Sequence, residues 1–232
     1  MAGLSIRYRF TMPDGAEEVF NVQLDPRSLE PVGRPTESPP EWTALDFHQC
    51  PHCPFSVASH AHCPLAAALV DLVERCGRLI SYDRIHVEVI TAERRVSQDT
   101  TAQIGLSSLM GLLIATSGCP HTAFFKPMAR FHLPLATEQE TIYRATSTYL
   151  LGQYFAARDG RPADLELHGL AEVYRSIETV NAFVARRLRG AIETDSASNA
   201  LILLDMYAKA LPYVIENSVE ELRDLFAALL AD

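Results

Sequence analysis

No stretch of this 232-residue chain is apolar for long enough to cross a bilayer; the longest run, Ser108 to Thr116, is short and interrupted. The N-terminal residues alternate in polarity from Leu4 to Phe10, which excludes the continuous apolar segment of a secretory leader, and Gly stands third rather than second, against myristoylation. Basic residues are in deficit: 20 Lys+Arg face 29 Asp+Glu, a formal net charge of −9, which argues against nonspecific binding to nucleic acid or an anionic membrane. Gly-x-Gly-x-x-Gly, Walker A, His-Glu-x-x-His and Gly-x-Ser-x-Gly are all missing, and with them the common nucleotide-binding, zinc-protease and serine-hydrolase signatures. There is no repeat of solenoid period and no low-complexity tract. The expectation is a soluble cytoplasmic protein with neither a nucleic-acid nor a membrane partner. Thiols stay reduced in that compartment, so five cysteines do not imply a disulfide framework.

What is present fits a globular core: 48% of residues are hydrophobic and 21% charged. Leu4, Ile6, Tyr8, Phe10 and then Phe20, Val22, Leu24 alternate with polar neighbours around Pro13-Asp14-Gly15, the pattern of a β-hairpin. Five prolines between Asp25 and Trp42 mark an extended connector. Pro64 opens a helix expected to run to Cys76 and stop at Gly77; Ile85, Val87 and Val89 read as a strand, and Thr101 to Thr116 as a buried helix. Lys126–Pro134 reads as a Pro-punctuated loop. Thr137-Glu-Gln-Glu140 has capping-box form ahead of an Ile142, Thr146, Tyr149, Leu150, Tyr154 stripe, and a second stripe runs from Leu167 to Leu188. A third helix is expected over about 197–210, and a last one, opened by Ser218–Glu221, is expected to bury Leu222, Leu225, Phe226 and Leu229. The fold class is α+β, with an N-terminal hairpin and small sheet and a C-terminal helical bundle. The segments divide as 1–40, 41–134 and 135–232, or form one domain. The C-terminal helices are expected to offer a surface for a homodimer or protein partner.

The informative feature is sulfur. Cys50, Cys53, Cys63 and Cys119 are each followed by proline, and only Cys76, inside the expected helix, is not. His48, His52, His62 and His121 lie within two residues of one of these four, whereas roughly 0.5 of the eight histidines would fall there by chance. The spacing is Cys-x2-Cys-x9-Cys-x55-Cys. A Cys-x2-Cys turn lets two thiolates converge on one ion, and four thiolates serve a tetrahedral zinc ion or a 4Fe–4S cluster equally well. The expected ligands are therefore Cys50, Cys53, Cys63 and Cys119, holding zinc or a 4Fe–4S cluster, with His52, His62 and His121 as additional ligands or supports. Lys126 and Arg130 are expected to offset thiolate charge or bind an anion. Arg186-Arg187-Leu188-Arg189 reads as a basic run complementing a helix C-terminus, and Asp83, His86, Glu88 and Glu93 as residues of a half-exposed strand.

Three resemblances bear on these residues. Rubredoxin and zinc-ribbon knuckles often read Cys-Pro-x-Cys-Gly, and Pro54 here departs from that glycine. Cys50-Pro51-His52-Cys53 resembles the active-site tetrapeptide of the disulfide-oxidase branch of the thioredoxin superfamily, which implies a thiol-disulfide oxidoreductase as the alternative function. That likeness covers four residues, and Pro54 stands where the family's helix would proceed. The wider pattern, Cys-Pro-His-Cys-Pro, His-Cys-Pro and Ser-Gly-Cys-Pro-His-Thr, resembles an uncharacterised bacterial protein family with no known activity. The function expected from the residues is a metal- or iron–sulfur-binding protein.

Overall fold

β1 (Leu4–Thr11) and β2 (Glu17–Leu24) pair antiparallel from Leu4↔Leu24 to Thr11↔Glu17. Period-two alternation places Ile6, Tyr8, Phe10, Phe20, Val22 and Leu24 on one face, where all are buried. The reversal falls at Pro13-Asp14-Gly15: Gly15 has φ +84°, and the Asp14 carboxylate accepts the Ala16 amide at 2.9 Å. β3 (Arg84–Ile90) joins the other edge of β1, and β4 (Arg95–Thr101) pairs with β3, giving an antiparallel sheet in the order β2-β1-β3-β4. The outer face is charged, with Arg9 and Arg95 reaching Glu88 at 3.3 and 3.2 Å and His86 reaching Asp99 at 2.7 Å. The computed structural model describes residues 3–33, 38–76, 79–191 and 222–231.

Helices pack on the inner face. The single helix expected from Pro64 to Cys76 is two, α1 (Pro64–Ala68) and α2 (Val70–Cys76), because the Leu69 amide turns back to the carbonyls of Ala66 and Ala67. Its expected stop at Gly77 lies outside the described residues. α3 (Ala102–Thr116) is capped by the Thr101 hydroxyl, which accepts the Ile104 amide. It crosses the sheet at Gly105, where an added Cβ would lie 2.9 Å from Val87 Cγ2 and 3.3 Å from Phe10 Cε1. The Lys126–Pro134 segment expected as a loop opens with a helix, α4 (Lys126–Arg130), which a 3₁₀ turn (Pro120–Phe125) leads into. Pro120 and Pro127 occupy first-turn positions, where proline starts a helix instead of breaking one.

α5 (Glu138–Arg158) begins with the expected capping box between Thr137 and Glu140, and α6 (His168–Ala191) follows. The main core runs from Ile6 to Leu188 and takes in Val180, Val184 and Leu188 of α6. A smaller cluster joins Ile142 and Ala145 of α5 to Leu170, Tyr174 and Ile177 of α6. Leu150 and Tyr154, expected on a buried stripe, are exposed together with Leu151 and Phe155, because α5 runs past the core beyond Tyr149. The helix expected over 197–210 and the Ser218–Glu221 box lie outside the described residues. Leu222 is buried as expected, but Leu225, Phe226 and Leu229 are exposed. They sit on a 3₁₀ turn (Arg223–Phe226) and a short helix, α7 (Ala227–Leu230), too brief to lay a stripe along the core. The architecture is α+β. Among the described residues no single helix is long and apolar enough to cross a membrane.

Candidate functional site

Cys63 and Cys119 occupy equivalent local positions. Each is the residue before a helical turn that opens with proline, and their backbone angles nearly coincide (φ −68°, ψ 118° and φ −66°, ψ 125°). The following proline forbids the helical conformation at the cysteine, so both are extended just where a helix begins. Gly118, with φ +85°, turns the chain out of α3 immediately before Cys119, close against Pro64. Cys50 and Cys53 form a tight turn in which the Cys53 amide donates to the Cys50 carbonyl at 3.0 Å. A short antiparallel contact then draws this turn towards Cys63: the Leu45 amide donates to Ala61 O at 2.9 Å and the Cys63 amide to Thr43 O at 2.8 Å.

These connections bring all four cysteines to the wall of one cavity of about 20 Å³, closed by Val180, Val184 and Arg187 of α6. That is room for one water-sized body. No disulfide forms. Burial, followed by the neighbouring Cys63, Cys119 and Cys53, pushes the Cys50 thiol up to about 12, while Arg187 pulls it down. Burial likewise raises Cys119, opposed by the backbone amides of His121 and Thr122 that point at its sulfur. Cys50 and Cys119 are thereby held towards the protonated thiol. Among the described residues no group of three or more His, Cys, Asp or Glu could hold a metal ion as it stands.

Arg187 is the residue that the sequence pattern did not reveal. It is 1% exposed and donates to the carbonyls of Trp42, Ala44 and Leu45 at 2.9, 2.6 and 2.9 Å. Among the described residues no carboxylate lies within ion-pair distance of it. The run Arg186-Arg187-Leu188-Arg189 is therefore not uniformly a solvated helix end. Arg186 and Arg189 are exposed, whereas Arg187 and Leu188 face inward. A period of 3.6 from Val180 and Val184 places Arg187 on the core stripe, and that was the available signal.

The histidines brace the site. His121 Nε2 lies 3.0 Å from the His52 carbonyl, which can only accept, so Nε2 carries the proton and Nδ1 accepts from the Ser176 hydroxyl at 3.0 Å. Ser176 Oγ then accepts from His52 Nε2 at 3.1 Å, which leaves His52 Nδ1 unprotonated, buried and without a partner. The two rings stand 4.0 Å apart, and burial, with the neighbouring His121, lowers the pKa of His52. Both His121 nitrogens are engaged, so it links the Cys50–Cys53 turn to α6. The Thr43 hydroxyl gives its proton to Pro40 O, so His62 Nδ1 donates to Thr43 at 2.8 Å, and His62 does not line the cavity.

Lys126 and Arg130 do not line the cavity either. Lys126 donates to Ser28 O at 3.0 Å and lies 3.5 Å from Glu30, tying the connector to α4, while Arg130 lies over the Phe131 ring. The charge facing the thiols is that of Arg187 instead. Cys76 is fully buried in the main core, apart from the other four.

A family profile described as a domain of unknown function, DUF6901, matches residues 6–227. No curated protein and no solved structure matches the chain.

Proposed function

The chain belongs to the DUF6901 family, and from its site we propose that Cys50, Cys53, Cys63 and Cys119 hold one metal ion as thiolates, zinc in preference to a 4Fe–4S cluster. The observation that carries this reading is Arg187, a buried cation with no carboxylate partner among the described residues, set beside four thiols drawn from three separate segments. An isolated buried charge is costly, and carbonyl dipoles offset it only in part. A divalent ion held by four thiolates is a doubly negative centre and supplies the missing counter-charge. The volume of about 20 Å³ suits a single ion, whereas a cluster of eight iron and sulfur atoms needs far more.

Binding requires the four thiols to lose their protons and their sulfurs to turn inward. Each cysteine has one side-chain torsion, and a change of rotamer moves sulfur by about 3 Å. The protons leave to solvent, so affinity falls with pH. The backbone amides of His121 and Thr122, already directed at Cys119, stabilise its thiolate. The ion joins the 46–65 segment to the end of α3, a structural role worth on the order of 10 kcal/mol of folding free energy. The dithiol oxidoreductase reading has less support, because the Cys50 thiol is raised, not lowered, and no helix begins at Cys50 or Cys53.

The test is elemental analysis and a visible spectrum of protein purified anaerobically from medium supplemented with zinc and iron. The expected result is one zinc per chain without colour. Cys63→Ser and Cys119→Ser lose metal and thermal stability together, while Cys76→Ser keeps its metal. A chain that takes up no metal on titration, or full stoichiometry in the Cys119 variant, overturns the assignment.

A further inference from the structure

A second cavity, of about 470 Å³, opens between α3, α4, the start of α5 and α6. Its size falls within the roughly 300–1,000 Å³ of ordinary small-molecule sites. Leu112, Ile114, Phe125, Met128 and Ile177 make most of its wall apolar. Its polar groups include Asn181 and Arg144, each with donors that have no partner among the described residues. Asn181 is 2% exposed, and its Nδ2 has no hydrogen-bond partner. Arg144 is half-buried and spends only Nη2, on the carbonyls of Met128 and Phe131 at 2.7 and 3.1 Å. No hydrogen bond among the described residues engages its Nε or Nη1, and no carboxylate lies within ion-pair distance.

His132, also on the wall, is engaged through one ring nitrogen. Its Nε2 lies 2.6 Å from the buried Tyr8 hydroxyl, which in turn lies 2.8 Å from Ser108 Oγ. Burial, with Arg144 nearby, lowers its pKa, so it adds no competing charge. A largely apolar chamber that holds a guanidinium with free N–H groups and a buried, unpartnered amide N–H calls for a ligand with an apolar body and an anionic acceptor.

We propose that this cavity binds a small monocarboxylate with an apolar body, its carboxylate on Arg144 and Asn181 and its body against the α3 and α6 side chains. The inference does not depend on the metal site, and none of the four cysteines lines this cavity.

The probes are decanoate and the neutral 1-decanol, titrated calorimetrically into the full-length chain. Decanoate is expected to bind at one site per chain, about tenfold or more tighter than 1-decanol. Arg144→Met removes that preference. Ala136→Phe, at a half-buried wall position, blocks both probes while leaving the circular dichroism and melting temperature of the chain unchanged. Absence of saturable decanoate binding, equal affinity for the two probes, a preference that survives Arg144→Met, or undiminished binding in Ala136→Phe each overturns the proposal.

Discussion

Replacing Arg187 by Met keeps the length and apolar stem of the side chain but removes the guanidinium. Three buried carbonyls, of Trp42, Ala44 and Leu45, lose their donor. Hydrogen bonds from a charged group are worth about 1.5–3 kcal/mol each, but relief of the buried charge returns part of that. The net loss expected is about 3–5 kcal/mol, from three carbonyls left unsatisfied at about 1–3 kcal/mol each, less the relief of the buried charge. The zinc-loaded state loses more. At an effective dielectric near 20, unit charges roughly 8 Å apart interact by about 2 kcal/mol, so zinc affinity falls by at least about tenfold. Urea unfolding of zinc-loaded and chelator-treated protein, followed through Trp42, the single tryptophan, measures the first effect, and chelator competition measures the second. Arg187→Lys, which keeps charge but not the fork, is expected to retain most of the zinc affinity and lose most of the carbonyl contacts. Stability of Arg187→Met within about 0.5 kcal/mol of the parent, together with unaltered zinc affinity, refutes the role given to this residue.

Gly105→Ala forces a methyl group against Val87 and Ile85 at 2.9 and 3.0 Å, both of them buried side chains. Overpacking of about 1–3 kcal/mol then exceeds the helix-propensity gain of about 1 kcal/mol, and denaturant unfolding should show net destabilisation. The His132 pKa is lowered by burial to about 3. Between pH 6.5 and about 3 the unfolded chain therefore binds a proton that the native state refuses. Stability falls as pH drops through that window, by up to about 1.4 kcal/mol per unit, and His132→Gln should flatten this part of the pH–stability curve.

The hairpin was legible because Ile6, Tyr8 and Phe10 alternate without exception and Gly15 supplies the turn. The capping box at Thr137 was equally plain, since Thr and Glu three apart satisfy each other's amides. β4 was not legible. Its sequence, Arg-Val-Ser-Gln-Asp-Thr-Thr, has no apolar alternation, and it is a strand because it pairs with the edge of β3. The stretch from Lys126 to Arg130 misled because proline carries opposite meanings at a helix start and a helix interior. For the site, the Cys-Pro pairs pointed to four residues that the fold gathers around one cavity. The charge beside them could not be found by proximity in sequence to Cys119. Lys126 is seven residues away and pairs with Glu30, whereas Arg187 arrives from a distant helix.

The most direct measurement is X-ray absorption at the zinc edge of protein loaded with one equivalent of zinc. Four sulfur neighbours at about 2.3 Å are expected in the parent chain, and Cys119→Ser, which loses its metal, is expected to lack that shell. A shell dominated by oxygen or nitrogen, or one that Cys119→Ser leaves unchanged, contradicts the idea that these cysteines share an ion.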